Sequence, residues 1–487
     1  MERKNVYICM LAALLSCSDS VKVSRTLDAM PAIFPDYNGV VIPPNMAPLN
    51  FALDDQDAGS RAVFSFGGQQ FEVKGENGSI VIPPSKWKKL LESAAGDSIQ
   101  VTVQVKQGNE WVAYSPFAIR VAPEKVDSYL AYRLIDPGYE LWNKMGIYQR
   151  DLESYTQIPI IENKMSGNNC VNCHSFCMQD PNKMLFHMRE TFPGTILVDG
   201  DKIEKLNTKT KETISSLVYP SWHPSGKYVA FSVNTTKQAF HLNDRNRVEV
   251  YDEASDVVVY DVEKHEIVTA SNIFSKDAFE TFPTFSPDGK TLYFCTAEAR
   301  PIPQEYSEVK YNLCSVSFDP VTRAFGAQVD TLYNAKSGGM SASFPRVSPD
   351  GRYLLYTLSG YGNFSIWHKE ADLWLLDLTS GDLRELSEVN SDDTESFHNW
   401  SSNSRWFVFS SRRGDGLYTR LYLASMDENG KISKPFLLPQ EDPETYYDRS
   451  VYSYNVPDFT SEPIKIDTRV FEKKITSKER IQVQAKK

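Results

Sequence analysis

The stretch FPTFSPDGKTLYFC at residues 282–295 recurs through the second half of the chain. Related copies are YPSWHPSGKYVAFS at 219–232, FPRVSPDGRYLLYT at 344–357 and, more loosely, FHNWSSNSRWFVFS at 397–410. Each copy combines a strand, a turn of the Pro-Asp-Gly type and a second strand that is rich in aromatic residues. A weaker strand motif follows each copy, as in DLWLLD at 372–377. The repeat unit is therefore a β-sheet of about four strands.

Sheets that repeat every several tens of residues are typical of a β-propeller, whose blades close into a ring because no blade buries both faces alone. The Ser-Pro-Asp-Gly-Lys copies resemble the TolB-like (PD40-type) propeller family over residues 163–457. That resemblance implies about six blades and a role as a platform for protein interactions. Together with a first repeat before residue 219, the copies account for five blades. We expect the segment before them to supply part of a sixth.

The remaining chain divides into shorter segments. Apolar runs separated by Gly and Asn turns at 38–123 predict a small β-sandwich, with one helix over 85–95. A polar linker at 18–37 precedes it, an aromatic-rich bridge at 124–162 follows it, and a tail covers 458–487. The predicted fold class is all-β, with an N-terminal immunoglobulin-like sandwich followed by a TolB-like propeller.

The N-terminal segment has the features of an export signal. A short basic region precedes the apolar run 6–15, which is too short to cross a membrane. The run leads into Leu14-Leu15-Ser16-Cys17, which resembles the lipobox of bacterial lipoproteins. The resemblance implies a signal peptide at 1–17 and lipidation of Cys17; an ordinary signal peptide with a coincidental cysteine is the alternative. We expect a protein that is anchored only by lipid and faces the periplasm or the cell surface.

Charge and cysteine content limit the classes of partner. The formal net charge of -11 disfavours a nucleic-acid or anionic-membrane surface. Seven cysteines are too few for a disulfide scaffold in 487 residues. Whether Cys177, Cys295 and Cys314 pair cannot be read from their spacing, and the oligomeric state is equally open.

Residues 170–174 form the motif Cys-Val-Asn-Cys-His, which is the signature of covalent c-type haem attachment. Two closely spaced thiols, Cys170 and Cys173, can add to the vinyl groups of one porphyrin, while the imidazole of His174 binds iron on the proximal side. A zinc site would need a second pair of ligands, and a thioredoxin-like pair would need a βαβ unit. A structural disulfide is a further alternative. The motif predicts one covalent haem c.

The distal iron ligand is suggested by a comparison of repeats within the chain. If Lys183 is aligned with Lys227, His187 falls at the position of the core aromatic Phe231. A buried imidazole needs a partner, so His187 is the first candidate for the sixth ligand. The other candidates are methionines close in sequence and one distant histidine: Met188, Met184, Met178, Met165 and His398. An open coordination position is also an alternative.

The same comparison locates the haem. With a longer turn in the first repeat, His174 aligns with Pro220, Pro283, Pro345 and His398 at the entry of a blade. We therefore expect the haem at the mouth of the propeller or in its first interblade groove.

Electron transfer is the leading hypothesis for the function. A lipid-anchored, monohaem c-type cytochrome on a propeller scaffold would exchange electrons with redox proteins that dock weakly. The alternatives are an interaction module with a structural or sensory haem, and a peroxidase-like enzyme in which His187 acts on a ligand at an open iron site. No Gly-x-Ser-x-Gly element occurs, so a propeller peptidase is disfavoured, and no catalytic residue is assigned.

Overall fold

The computed structural model describes residues 22–53, 59–136 and 144–486. The predicted signal peptide and Cys17 lie outside these ranges. Six of the sheets in the described residues are propeller blades, which we number in ring order, so the expected propeller is confirmed. Their inner strands contact one another in sequence around a central channel, and the last contacts the first.

From the channel outward, the strands are as follows: blade 1, Ser453–Thr460, Tyr129–Ile135, Gly146–Asp151 and Gln157–Glu162; blade 2, Val171–Phe176, Lys183–Met188, Gly194–Asp199, Lys202–Asn207 and Ile481–Gln482; blade 3, Leu217–Trp222, Tyr228–Phe240, Val248–Asp261, Glu266–Val268 and Gln484–Ala485; blade 4, Ala278–Phe285, Thr291–Glu298, Asn312–Asp319 and Ala324–Tyr333; blade 5, Ser341–Val347, Tyr353–Ser359, Asp372–Asp377 and Leu383–Glu385; blade 6, Glu395–Trp400, Trp406–Ser411, Arg420–Ser425 and Phe436–Leu437.

Blade 1 closes the ring with strands from two distant parts of the chain. Ser453–Thr460 forms its inner strand and pairs antiparallel with Tyr129–Ile135. The bridge therefore supplies three strands of blade 1, which is the additional blade expected beyond the five repeats. The predicted start of the propeller at residue 163 is wrong. The predicted tail at 458–487 is also wrong as a separate segment, because it contains the end of that inner strand and two short edge strands. In a closed ring of blades, only short and protected strand edges remain, so the propeller avoids long exposed edges.

The N-terminal part of the chain is a sheet covered by a helix, and the immunoglobulin-like type is not confirmed. Its larger sheet has seven strands: Val23–Thr26, Val41–Ile42, Ser60–Phe66, Gln69–Lys74, Ser98–Gln107, Glu110–Ala113 and Phe117–Val121. A second sheet has three short strands: Ile33–Phe34, Phe51–Leu53 and Ser79–Ile80. The helix Pro84–Ala94 buries Trp87, Leu90 and Leu91. Its apolar face fills space that the partner sheet of a sandwich would occupy.

The N-terminal sheet and the propeller share one hydrophobic core. Phe64 and Trp87 belong to the same buried cluster as Trp406 of blade 6 and Tyr132 of blade 1. The other helices are Ala335–Gly338, Pro443–Arg449 and Thr468–Ile475, with 3-10 turns at Asn163–Ser166, Cys177–Gln179, Tyr306–Glu308 and Ser365–Trp367. Among the described residues, no helix has the length and apolar character needed to cross a membrane.

Ring closure can be tested at Phe459, which is fully buried on the closing strand opposite Leu130. Phe459→Ala is expected to lower the free energy of unfolding by about 3–5 kcal/mol, because it leaves a cavity in the core at the closure. Leu242→Ala is the control, since Leu242 is 94% exposed. Denaturant unfolding of both variants measures the difference, and equal stabilities would show that the closing strand contributes little.

Candidate functional site

Every inner strand of the propeller carries one extra residue at the same register. The bulge residue has a positive φ in all six blades, and in each it lines the channel. In ring order these residues are Val456, Cys173, Tyr219, Phe282, Phe344 and Phe397. A bulge re-aims a side chain relative to the regular alternation of a strand. The fold therefore presents one side chain per blade to the channel, and in blade 2 that side chain is the second cysteine of the motif.

The bulge residues form an incomplete aromatic collar. The rings of Tyr219, Phe282, Phe344 and Phe397 follow one another with centroid distances of 4.9, 4.2 and 4.9 Å. Blades 1 and 2 place a valine and a cysteine where the others place aromatic rings. The channel holds a cavity of about 410 Å³, whose lining includes the collar, Cys173 and His174. The small side chains leave room for a ligand next to the motif.

His174 follows the bulge and occupies the position of Pro220, Pro283, Pro345 and His398, as the repeat comparison predicts. It is 2% exposed, and neither ring nitrogen makes a hydrogen bond of acceptable geometry with a described residue. The carbonyls of Ala131 and Val456 approach the ring, but burial and the charge of Arg133 lower the pKa of His174 to about 3. The imidazole is therefore neutral, which is the form that binds metal.

The two motif cysteines differ in their surroundings. Cys173 lines the cavity, the backbone N–H of Tyr219 approaches its sulfur, and burial raises its pKa. Cys170 lies one residue before the inner strand, does not line the cavity and packs against the core between blades 1 and 2. The side-chain amide of Asn172 lies 3.6 Å from its sulfur. Both thiols are free, so neither is used in a disulfide.

The alignment that placed His187 at a core aromatic position is wrong by one residue. Strand pairing puts Phe186 at the position of Phe231, because the turn in blade 2 is longer than in blade 3 by one residue rather than two. His187 occupies the position of small or polar residues: Ser232, Cys295, Thr357 and Ser410.

His187 and His174 lie on opposite faces of blade 2. Leu185, two residues before His187 and on the same face, packs in the core towards blade 3. His174 instead faces the carbonyls of Ala131 and Val456 in blade 1. His187 is 5% exposed, and its Nδ1 lies 3.2 Å from the Thr195 hydroxyl. Burial lowers the pKa of His187 to about 3. The structure therefore does not bring the two histidines together.

The methionine candidates divide between core and channel. Met184 and Met188 are fully buried in the core between blades 1 and 2, and Met165 packs against the same core. Met178 is 46% exposed and lines a smaller cavity of about 110 Å³ together with His174. Of the methionines proposed from sequence, Met178 is therefore the one that shares a cavity with the proximal candidate.

His398 is the counterpart of His174 in blade 6. The carbonyls of Phe344 and Leu355 in blade 5 approach its ring, and burial lowers its pKa to about 3. It lines neither channel cavity. His398 therefore shows how this fold buries a histidine at the same register in a blade that lacks the cysteine motif.

The other cysteines within the described ranges, Cys177, Cys295 and Cys314, are buried free thiols. Cys295 and Cys314 pack in different cores, so they lie on opposite faces of blade 4. The Cys177 thiol is 3.8 Å from the carbonyl of His223, and burial raises its pKa to about 11. Within the part of the chain that is described, no group of three or more His, Cys, Asp or Glu side chains could hold a metal ion.

Several channel cations had no signal in the sequence. Arg133, Arg189, Lys237, Arg346 and Arg412 all line the larger cavity, although they lie on different blades and loops. Arg133 occupies in blade 1 the register position of His187 in blade 2. Its blade lies outside the predicted repeats, so the repeat comparison could not reveal this relation.

No protein-family model matches the chain, and no curated protein matches it either. Solved structures with a similar fold include dipeptidyl peptidase 4 from Porphyromonas gingivalis, with 12% identity, a TM-score of 0.31 and coverage of 64% of this chain and 52% of that chain. Prolyl oligopeptidase B from Galerina marginata has 12% identity, a TM-score of 0.36 and coverage of 63% and 44%. A DUF4784 family protein from Bacteroides caccae has 6% identity, a TM-score of 0.31 and coverage of 74% and 96%. The alignment thus spans about half of the length of the two peptidases, and these similarities concern the fold alone.

The buried histidines predict a loss of stability in acid. A His whose folded pKa lies below its unfolded value of about 6.5 costs stability as the pH falls below that value. For His398, with a folded pKa of about 3, the cost between pH 8 and pH 5 is about 2 kcal/mol.

His398→Asn is therefore expected to unfold with about 2 kcal/mol less pH dependence than the unmodified protein, as measured by denaturant unfolding at both pH values. Ser396→Ala, at a buried residue of the same strand, is the control and should keep the full pH dependence. An unchanged pH dependence in His398→Asn would mean that the imidazole is not buried in its neutral form.

Proposed function

We propose that this protein is an exported, lipid-anchored propeller that carries one covalent haem c and transfers electrons. The observation that supports it best is that Cys173 and His174 both line the channel cavity. A buried neutral imidazole without hydrogen bonds loses its interactions with water unless a ligand compensates for them. Coordination to haem iron would compensate for this loss, and the thiol of Cys173 would attach the porphyrin next to the imidazole.

Three features of the site fit this group, although Cys170 packs against the core and does not line the cavity. Cys173 offers a free thiol at the cavity, and His174 offers an unpaired ring nitrogen. The collar residues Tyr219 and Phe282 present aromatic surface to the same cavity. In this proposal Cys170 and Cys173 hold the haem and His174 binds the iron. When bound, the haem supplies one-electron redox chemistry, while the collar and the blade cores limit the access of water.

The cellular location is part of the proposal. Attachment of haem c takes place after export, in agreement with the signal peptide expected at residues 1–17. A lipid on Cys17 would hold the folded chain at a membrane facing the periplasm or the cell surface. Its partners would be redox proteins that bind transiently.

A protein-interaction module with a structural or sensory haem is the second candidate. The hairpin formed by the long middle strands of blade 3 extends beyond the sheet, and Phe240 and Leu242 at its tip are exposed. Exposed apolar residues at a hairpin tip are suited to contact with another protein. In this second candidate function the haem site is the same, but the haem has a structural or sensory role instead of transferring electrons.

Covalent attachment is tested by expressing the full chain in a bacterium that matures c-type cytochromes in its periplasm. Haem staining should survive denaturation in the unmodified protein and in the control Cys177→Ala. It should disappear in Cys170→Ala/Cys173→Ala, because no thioether can then form. Absence of stain from the unmodified protein, in cells that mature a reference cytochrome, would refute the haem proposal.

The sixth ligand is tested in the same protein by absorption spectroscopy. Met178→Leu is expected to convert six-coordinate low-spin iron to the high-spin form if Met178 is the ligand; Met178 lines the smaller cavity with His174 but not the larger one with Cys173. His187→Phe is expected to leave the spectrum unchanged, since His187 faces blade 3. A change in His187→Phe without a change in Met178→Leu would instead identify His187 as the ligand. High-spin iron in the unmodified protein that binds added cyanide would favour an enzyme.

A further inference from the structure

The charged side chains that line the larger channel cavity are mainly cationic, although the whole chain has a formal net charge of -11. Five cationic side chains line it: Arg133, Arg189, Lys237, Arg346 and Arg412. Asp136 is the one acidic residue among the described lining residues. Such a concentration of cations in an acidic protein is a local feature of the cavity and not of the surface as a whole.

Two of these arginines lie next to the cysteine motif. The charges of Arg189 and Arg133 both act on the Cys173 thiol, and Arg133 also acts on His174. Arg189 follows the second strand of blade 2, and its backbone N–H donates to the carbonyl of Cys170. The two guanidinium groups therefore approach one end of the cavity from blades 1 and 2.

Neither arginine has an acidic partner in the described part of the chain. No ion pair is formed there by Arg133 or Arg189, whereas Lys237 lies 4.0 Å from Glu253 and Arg346 is influenced by Asp458. The Nε of Arg133 is buried without a hydrogen bond. The desolvated Nε of the half-buried Arg133 costs free energy, and the charge of Arg133 also repels that of the exposed Arg189 at the same cavity. A negative group bound in the cavity would offset both costs.

We infer that the channel cavity binds the carboxylates of an anionic ligand, with Arg133 and Arg189 as their direct partners. The planar guanidinium matches a carboxylate with two parallel hydrogen bonds. The inference deepens the proposed function, because the propionates of a bound haem are one source of such carboxylates. A free organic carboxylate that enters the channel is the other source, and the chemistry of recognition is the same.

The two sources can be separated with the haem-free variant Cys170→Ala/Cys173→Ala of the full chain. Citrate binding is measured by calorimetry, and the binding of haemin and of haemin dimethyl ester is measured by absorbance. Arg133→Gln and Arg189→Gln, made in this background, are each expected to weaken binding of the true ligand class by about tenfold. Arg120→Gln is the control, because Arg120 is exposed on the N-terminal sheet.

Arginine-dependent binding of citrate would identify a free carboxylate as the ligand. Arginine-dependent binding of haemin, but not of its dimethyl ester or of citrate, would identify the propionates. Binding that does not depend on either arginine, or no binding of any probe, would overturn the inference. Since Arg189 is exposed, its variant keeps the test informative even if Arg133→Gln fails to fold.

Failure of this inference is distinct from failure of the haem proposal. The haem proposal fails if the unmodified protein retains no stain after denaturation. The carboxylate site fails if its probes bind without regard to the arginines, whatever the stain shows.

Discussion

The pairing of Ser453–Thr460 with Tyr129–Ile135 joins the two ends of the propeller sequence in one sheet. A blade is apolar on both faces and is stable only between two neighbours, so the ring depends on this closure. The closing strand also carries Val456 into the collar, and the carbonyl of that residue approaches His174. The surroundings of the motif are therefore completed by the same contact that completes the fold.

The positive-φ bulge in each inner strand converts a repeated backbone into a site. Because the bulge recurs at one register, six side chains from separate repeats meet around the channel. Four are aromatic and fill space, while Val456 and Cys173 leave space. Blade 2 thus has the same backbone as the other repeats but carries a cysteine at the bulge. His174 follows it at the position where the other repeats have proline or histidine.

Burial and charge act together on the motif. Loss of water keeps the imidazole of His174 neutral, and Arg133 reinforces this effect. The same arginine and Arg189 would favour a thiolate at Cys173, but burial outweighs them and raises its pKa. The cavity therefore combines a neutral imidazole with cationic side chains, an arrangement that agrees with the proposed haem, whose iron and propionates would meet these two kinds of group.

The sequence by itself determined the repeated blade and the motif that points to haem c, whereas six blades were expected only from the resemblance to TolB-like propellers. It also placed His174 in line with the blade prolines, because a repeated turn fixes the register of nearby residues. The N-terminal sandwich type was not recoverable, since short alternating strands do not reveal whether a helix or a second sheet covers them. The domain boundaries failed because strand pairing between distant segments leaves no local pattern.

Only the tertiary structure decided which face each candidate ligand presents. One residue of turn length moved His187 from a core aromatic position to the opposite face, since neighbouring residues of a strand point to opposite sides. The cationic lining was equally hidden, because its members come from separate blades and loops. A contiguous motif can be recognised in the sequence, whereas a cavity lined by several blades forms only when the ring has closed.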